Sequence, residues 1–367
     1  MNKQHNTYRF VISGGGTGGH IFPALSIAHE LEQQLPGAQI HFVGARGRME
    51  MEKIPQAGYP ITGLPIEGLQ RKKWWKNTLL PFKVLGSLWQ SYRLLRRHRP
   101  MAAIGTGGYA SLPLLWTAQR MGIPTYIQEQ NSYPGISNKI LGKKARKIFT
   151  AYDEAAGFFP KNKIVMTGNP VRQGILTAQN PTREDYEHFG LRPGKPVVLI
   201  TGGSLGSAAI NRQIAQWIEN GLPGDIQLLW QTGKLYYDRY KDLASGQVKI
   251  VPFIRDMNKA YSIAGIIVSR AGAGTLSELA LVGKPVILIP SPNVAEDHQT
   301  KNAQAFSRKG AAILLPEKQI EELPSLISEW LKHPEKSQQM AENMKKLARP
   351  DATRHIVETI LKDLSLK

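Results

Sequence analysis

The sequence predicts an α/β fold with two Rossmann-like domains whose parallel sheets face a central cleft. One observation is that Phe10–His20 and Val197–Gly206 resemble each other, each being a short apolar run that breaks into glycines and then into a helix-like stretch. A strand, a glycine loop and a helix in this order present backbone N–H groups to a phosphate. A second observation is length, because 367 residues exceed one ordinary domain and 41% apolar residues fill two cores.

Strand and helix signals alternate along the chain, which predicts parallel sheets. The first half has strand signals near 8–13, 39–43, 101–105, 124–128 and 147–150, and helix signals near 19–35, 79–98 and 110–121. The second half has strand signals near 196–201, 226–230, 248–251, 265–268 and 285–289, with helices between them. Gly and Asn-Pro punctuate Thr167–Arg172 as a hinge would. We expect an N-terminal domain over 1–166, a C-terminal domain over 167–345, and a basic helix over 346–367 that could return to the N-terminal domain.

The chain contains no cysteine, which excludes disulfides, thiolate metal sites and cysteine nucleophiles. A reducing cytoplasm is therefore the expected compartment. The first apolar run is too short for a signal-peptide core, and no stretch approaches the ~20 apolar residues of a membrane span. We expect a chain that is neither exported nor threaded through a bilayer.

Positive charge is concentrated in the first domain. Residues 1–164 hold 22 Lys and Arg against 8 Asp and Glu, a net +14 of the total +19. No acidic residue occurs between Glu67 and Glu129, whereas cations alternate there with aromatic and aliphatic residues. This mixture favours contact with anionic lipid, expected at Lys72, Lys73, Trp74, Trp75, Lys76, Leu79, Leu80 and Phe82. Two alternatives stay open: a core-packed crossover helix with a solvated basic face, and a nucleic-acid surface, for which no motif is present.

The first glycine loop fits the dinucleotide fingerprint, since Gly14-x-Gly16-x-x-Gly19 lies between a strand and a helix signal. That fingerprint also expects an Asp or Glu after the second strand, where this chain has Arg46 and Arg48. The missing acidic residue argues against NAD, whereas the two arginines are compatible with the 2′-phosphate of NADP, so an NADP oxidoreductase stays open as an alternative. Both loops lack the P-loop Lys-Ser/Thr, which argues against ATP or GTP hydrolysis.

The stretch Ser269–Glu278 has the composition of a second phosphate site. Its small residues let the backbone approach a diphosphate, a helix starting near Gly274 directs its positive end there, and Glu278 can accept from ribose hydroxyls. A plain glycine turn that caps a helix explains the same residues equally well. A polar loop over 290–302 follows the next strand end, where open α/β sheets bind ligands.

These motifs together resemble the MurG family of peptidoglycan N-acetylglucosaminyltransferases over about residues 8–350. They occur in the family's order: Gly14–His20 with Ile21–Leu25, Gly107–Tyr109, Glu129–Asn131, Gly168–Arg172, Gly202–Ser204, Ser269–Glu278 and His298–Gln299. Gln128 stands where the family usually has His, and Leu205 where it usually has Gln. The resemblance implies a GT-B glycosyltransferase, with the lipid-linked acceptor and membrane contact in the N-terminal domain and UDP-N-acetylglucosamine in the C-terminal domain.

By matching position, the resemblance implies sugar-nucleotide contacts at Thr17, Gly18, Gly19, Asn131, Arg172, Ser204, Ile254, Ala273, Gly274, Thr275, Leu276, Ser277, Glu278 and Gln299. In this set Ile254 would read the uracil through its backbone, and Glu278 would hold the ribose. Arg172 and Ser204 would meet the diphosphate, and Gln299 the sugar hydroxyls.

The implied chemistry needs negative charge on the departing UDP to be neutralised and a proton to leave the acceptor hydroxyl. No Asp-x-Asp metal motif occurs, so we expect no metal and no cofactor, with helix N-termini and Arg172 in that role. Attack from the face opposite UDP inverts the anomeric carbon. His20 and Glu129 are the candidate general bases. Their plain structural alternatives are a hydrogen bond to backbone for His20 and an ion pair for Glu129.

The implied reaction moves N-acetylglucosamine from UDP-N-acetylglucosamine to the C4 hydroxyl of the N-acetylmuramoyl-pentapeptide of undecaprenyl-pyrophosphate-linked lipid I, giving lipid II. The implied location is the cytoplasmic face of the bacterial inner membrane. The implied processes are cell-wall biogenesis, the maintenance of cell shape and cell division. Other cell-wall synthesis proteins are the implied partners, and nucleic acid is not. A UDP-sugar epimerase of the same fold is the main alternative, since it would release UDP without a lipid acceptor.

Overall fold

The computed structural model describes residues 8–68, 80–171, 175, 180–294 and 297–366. These residues divide into two compact units. Unit 1 contains those up to Val171 and those from Pro350 onward, and unit 2 contains those between. Each unit is α/β with a parallel sheet, which confirms the predicted fold class. None of the helices within these ranges is long and apolar enough to cross a membrane.

The sheet of unit 1 consists of strands β1 (Arg9–Gly14), β2 (Gln39–Ala45), β3 (Ile61–Leu64), β4 (Ala102–Gly107), β5 (Thr125–Glu129), β6 (Lys147–Thr150) and β7 (Ile164–Met166). They pair in parallel in the order β3-β2-β1-β4-β5-β6-β7. The helices are α1 (Gly18–Gln34), α2 (Glu50–Gln56), α3 (Leu80–His98), α4 (Ser111–Arg120), α5 (Ile136–Gly142), α6 (Asp153–Ala156) and, much later in the chain, α15 (Ala352–Asp363).

Helix α15 belongs to unit 1 because its apolar face completes that unit's core. Ile356, Val357, Ile360 and Leu361 are fully buried in the cluster that contains the inward residues of α1. The end of the helix is also fixed by polar contacts. The buried Tyr126 donates its hydroxyl to Asp363 Oδ2 at 2.5 Å, and Arg146 Nε lies 2.8 Å from the same oxygen.

Unit 2 has strands β8 (Val197–Thr201), β9 (Gln227–Gln231), β10 (Val248–Val251), β11 (Ala264–Ser269), β12 (Val286–Leu288) and β13 (Ile313–Leu314). They are parallel, in the order β10-β9-β8-β11-β12-β13. The helices are α7 (Arg183–His188), α8 (Ala208–Glu219), α9 (Tyr237–Tyr240), α10 (Met257–Ile263), α11 (Ala273–Val282), α12 (His298–Ser307), α13 (Leu323–Lys332) and α14 (Pro334–Lys346). Within each sheet, the carboxyl ends of the parallel strands lie along one edge of that sheet, with the glycine loop that follows β1 in unit 1 and the one that follows β8 in unit 2.

The sequence reading omitted three strands, β3, β7 and β13. All three are edge strands of two to four residues. Most of their residues are only half-buried, so they lack the longer apolar run that predicts a central strand.

Candidate functional site

The glycine loop of unit 1 is a tight connection between β1 and α1. Gly16 has a φ of +85°, a left-handed conformation that glycine adopts without strain. Gly15 donates its N–H to Gly107 O at 3.3 Å. A Cβ built on Gly108 would lie 2.4 Å from Gly15 O, so the two loops approach each other more closely than any side chain permits.

A buried carboxylate that the sequence reading missed holds this loop in place. Glu50 is 1% exposed. Its Oε2 accepts the N–H of Gly16 at 2.8 Å, and its Oε1 accepts the N–H of Ala45 at 2.9 Å. The loop is therefore fixed before any ligand binds. Thr17 and Gly19, two of the predicted contacts, are exposed at the start of α1, and Gly18 is half-buried.

His20 is half-buried in the first turns of α1. Its Nδ1 lies 3.0 Å from Gly15 O and 3.3 Å from Thr17 Oγ1. Since a carbonyl oxygen only accepts, Nδ1 carries the proton in the neutral ring and the lone pair is on Nε2. The ring packs against Gly107, where an added Cβ would lie 2.8 Å from Nε2. This tautomer is the one that a base acting through Nε2 requires.

Glu129, the last residue of β5, is 1% exposed. Its Oε1 accepts from the backbone N–H of Asn131 at 3.0 Å and from Asn131 Nδ2 at 3.3 Å. Its Oε2 accepts from Asn138 Nδ2 at 2.8 Å and from the N–H of Gly135 at 3.3 Å. Burial raises the pKa of this carboxyl, and the N–H donors counteract the rise. The contacts are those of a group that shapes the loop between β5 and α5.

Gln128, where the family usually has His, belongs to a buried network of amides. Gln130 donates to Gln128 Oε1 at 2.7 Å, Gln128 donates to Asn169 Oδ1 at 2.9 Å, and Asn169 donates to Gln130 O at 3.1 Å. Gln130 also donates to the carbonyl of Thr106, at the end of β4. The three amides are at most 2% exposed. Gln128 therefore belongs to a network that connects β5 to the end of β4 and to the segment after β7.

The glycine loop of unit 2 repeats the turn of the first. Gly203 also has a φ of +85°, and Ser204, a predicted contact, is exposed. Gln231 fixes the loop by donating to Gly203 O at 3.0 Å, and its Oε1 accepts the N–H of Ile254 at 2.8 Å. Because that N–H is already donated to Gln231, the backbone carbonyl is the group through which Ile254 can form a hydrogen bond with a nucleobase. Leu205 is 73% exposed beside this loop.

Helix α11 begins at Ala273 and carries the second predicted phosphate segment. Ala273 and Leu276 are buried at 8% and 0% exposure, so their side chains pack in the core and only backbone groups there can face a ligand. Gly274, Thr275, Ser277 and Glu278 are half-buried.

Two predicted ligand side chains of unit 2 are held by hydrogen bonds. Tyr261 donates its hydroxyl to Glu278 Oε2 at 3.3 Å. In the first turn of α12, Gln299 accepts the N–H of Ser291 through Oε1 at 2.9 Å, which orients the amide of this side chain. Each of these two side chains is thus oriented by a neighbouring residue.

Seven predicted residues lie outside the described ranges: Lys72, Lys73, Trp74, Trp75, Lys76, Leu79 and Arg172. Of the other predicted membrane contacts, Leu80 is half-buried at the start of α3 and Phe82 is 72% exposed. Two further residues of the same helix, Leu85 and Trp89, are 65% and 61% exposed. The guanidinium of Arg93 lies 4.8 Å from the Trp89 ring centroid.

Comparison with known proteins identifies the family. Residues 10–150 match the glycosyltransferase family 28 N-terminal domain and residues 197–356 its C-terminal domain. A relative from Flavobacterium psychrophilum, named UDP-N-acetylglucosamine--N-acetylmuramyl-(pentapeptide) pyrophosphoryl-undecaprenol N-acetylglucosamine transferase, is 50% identical over 97% of each chain. A relative of the same name from Bacteroides fragilis is 48% identical over 99% of each chain.

Solved structures agree. A crystal structure of MurG from Acinetobacter baumannii superposes with a TM-score of 0.78 at 29% identity, covering 97% of this chain and 99% of the other. A UDP-N-acetylglucosamine 2-epimerase superposes with a TM-score of 0.68 at 14% identity over 98% of each chain, which shows a shared fold. The fold is GT-B, and the chain belongs to glycosyltransferase family 28, among the UDP-N-acetylglucosamine--N-acetylmuramyl-(pentapeptide) pyrophosphoryl-undecaprenol N-acetylglucosamine transferases.

Proposed function

We propose that the chain moves N-acetylglucosamine from UDP-N-acetylglucosamine to the C4 hydroxyl of the N-acetylmuramoyl-pentapeptide of lipid I, with inversion, to give lipid II. The observation that carries this proposal is the 50% identity over nearly the full length of a transferase whose name states donor and acceptor. The UDP-N-acetylglucosamine 2-epimerase shares the fold at only 14% identity, so its similarity supports an epimerase activity much less.

The donor is assigned to unit 2. Ser204 in the loop after β8 and the first turn of α11 supply the diphosphate contacts, together with Arg172 by resemblance. Glu278, whose Oε2 accepts from Tyr261, is the carboxylate that we assign to the ribose hydroxyls. Gln299, fixed by Ser291, supplies an amide for the sugar hydroxyls.

Charge on the departing UDP is neutralised without a metal in this proposal. The helix dipole places roughly half a positive charge at the N-terminus of a helix such as α8 or α11. Donors that are fixed before the reaction stabilise charge that develops in the transition state. The sequence contains no Asp-x-Asp motif, which supports this assignment.

His20 is the better candidate for the general base. His20 is half-buried and its Nδ1 contacts Gly15 O, which puts the lone pair of the neutral ring on Nε2. Glu129 is 1% exposed, and both of its oxygens accept from the loop that follows it. In the step we propose, the C4 oxygen bonds to the anomeric carbon and the bond from that carbon to UDP breaks. The bonding electrons leave with UDP, and the hydroxyl proton passes to Nε2.

Membrane contact through α3 explains how a lipid-linked acceptor is reached. Exposed Phe82, Leu85 and Trp89, with Arg93 over the indole ring, combine apolar contacts with a cation suited to anionic headgroups. We place the protein on the cytoplasmic face of the inner membrane. There it serves cell-wall biogenesis, and through it cell shape and division, beside other cell-wall synthesis proteins.

The test is UDP release from UDP-N-acetylglucosamine, with and without a lipid I analogue and in excess EDTA. We expect release that requires the acceptor, survives chelation and drops sharply in Glu278→Ala. The exposed Glu219→Ala, on the same unit, is the matched control and should behave as wild type. Release without the acceptor would support an epimerase or a hydrolase instead.

A further inference from the structure

Arg270 lies in the predicted diphosphate segment, and its cationic side chain is directed into the protein. It follows β11 directly, and its side chain is 12% exposed. Its Nη1 donates to Ile289 O and Pro290 O, both at 3.0 Å. Its Nη2 donates to Ser207 Oγ at 2.5 Å and to Glu317 Oε2.

Arg270 forms an ion pair with Glu317, which limits its positive charge to interactions within the protein. The Glu317 side chain is 24% exposed, so the pair is largely removed from water. Pairing two charges in such surroundings gains little stability over apolar packing, because desolvation offsets the attraction. What a guanidinium adds is a rigid planar fork whose donors contact several acceptors at set angles. The Arg270 guanidinium thus fixes the positions of the groups that accept its hydrogen bonds, and Glu317 neutralises its charge.

The segments that meet at Arg270 are those assigned to the donor. Ser207 caps α8 directly after the glycine loop 202–206, with Ile210 N donating to its hydroxyl at 3.4 Å. Pro290 directly precedes Ser291, whose N–H fixes Gln299. Arg270 itself begins the segment that leads to Glu278. One side chain therefore connects the loop for the diphosphate, the helix for the ribose and the amide for the sugar.

We infer that Arg270 is a positioning residue for the sugar nucleotide: its guanidinium sets the spacing of these three segments, and Glu317 holds it away from the diphosphate. The inference rests on the proposed donor site. It differs from the usual reading of an arginine beside a diphosphate, in which the guanidinium would contact the phosphates directly.

The variants Arg270→Lys and Glu317→Gln distinguish the two readings. A lysine ammonium cannot serve carbonyls and the Ser207 hydroxyl with the same fork, and loss of a charged hydrogen bond corresponds to about 10- to 100-fold in binding. We expect both variants to raise the KM for UDP-N-acetylglucosamine and the Kd for UDP, measured by calorimetry, by about that factor, with kcat changed much less. The exposed Arg308→Lys is the matched control.

Ser207→Ala removes a single contact and should raise the Kd for UDP by a smaller factor, so the inference stays testable if the charge variants fold poorly. If Arg270 were a phosphate ligand, Glu317→Gln would release it and tighten UDP binding, which would overturn the inference. Wild-type Kd and KM in folded Arg270→Lys would overturn it as well. Since UDP binding needs no acceptor, failure of transfer to lipid I with normal UDP binding would refute only the proposed acceptor, whereas a wild-type chain that binds no UDP would refute both.

Discussion

Replacing Glu129 by glutamine separates a positioning role from a proton-transfer role. The carboxylate accepts from Asn131 twice on one oxygen and from Gly135 and Asn138 on the other. Glutamine has one acceptor oxygen and one amide nitrogen. In either orientation, two of these four donors then face another donor.

The expected cost follows from those contacts. Each buried donor left unpaired costs about 1–3 kcal/mol, so two cost about 2–6 kcal/mol. Removal of a buried charge offsets part of this, since burial itself raises the Glu129 pKa and disfavours the charged form. We expect Glu129→Gln to destabilise the ordered loop by about 2–4 kcal/mol net. About 2 kcal/mol of this should raise the activation free energy of transfer, which lowers kcat/KM about 30-fold.

Three measurements check this. Hydrogen exchange should accelerate over residues 131–138, kcat/KM for a lipid I analogue should fall about 30-fold, and the shape of the pH–rate profile should stay that of wild type because the base remains. The exposed Glu154→Gln on α6 controls for loss of one carboxylate in unit 1. Loss of the acidic limb of the profile, with exchange in the loop unchanged, would make Glu129 the base and refute the reasoning.

Four further outcomes are expected. His20→Asn should lower kcat about 10²- to 10⁴-fold while the Kd for UDP stays constant; an equal loss of UDP binding would contradict its role as base. Tyr126→Phe should lower the free energy of unfolding by about 1.5–3 kcal/mol, and by clearly less in an Asp363→Asn background, as a double-mutant cycle would show. Burial lowers the His41 pKa to about 4, so the unfolded chain takes up a proton below pH 6.5 while the folded chain does not, and stability should fall from pH 6.5 to about 4. Allowing for solvent screening, the loss is about 1–2 kcal/mol, and urea titrations of His41→Gln should show a flatter pH dependence. Trp89→Ser should weaken sedimentation with anionic vesicles without changing UDP affinity, and unchanged vesicle binding would argue against contact through α3.

What the sequence could predict here is what local pattern determines. The glycine clusters after two apolar runs predict two loops, and in the structure Gly16 and Gly203 adopt the positive φ that the tight turns of those loops require. The pattern does not distinguish side-chain burial from ligand contact within α11: the side chains of Ala273 and Leu276 lie in the core, so a contact at these positions is made through the backbone. Their spacing of three residues on a helix is the signal that could have shown it.

The residues that organise the site could not be found this way, because their partners are distant in the chain. Glu50 holds Gly16 from 34 residues away, and Arg270 meets Ser207 across 63. A single buried carboxylate or arginine has no local pattern that tells which backbone group it will contact. The topology that brings strand ends together has to be known first.

The placement of α15 has a consequence for how the protein is made. Unit 2 is contiguous in the chain, whereas unit 1 needs residues that are translated after all of unit 2. Until Ile356–Leu361 leave the ribosome, the nascent chain exposes the apolar side of α1 that those residues cover. The half that is synthesised first is thus completed last, and the apolar surface that it exposes during that interval favours aggregation. A premature stop near residue 350 would spare unit 2 and damage unit 1.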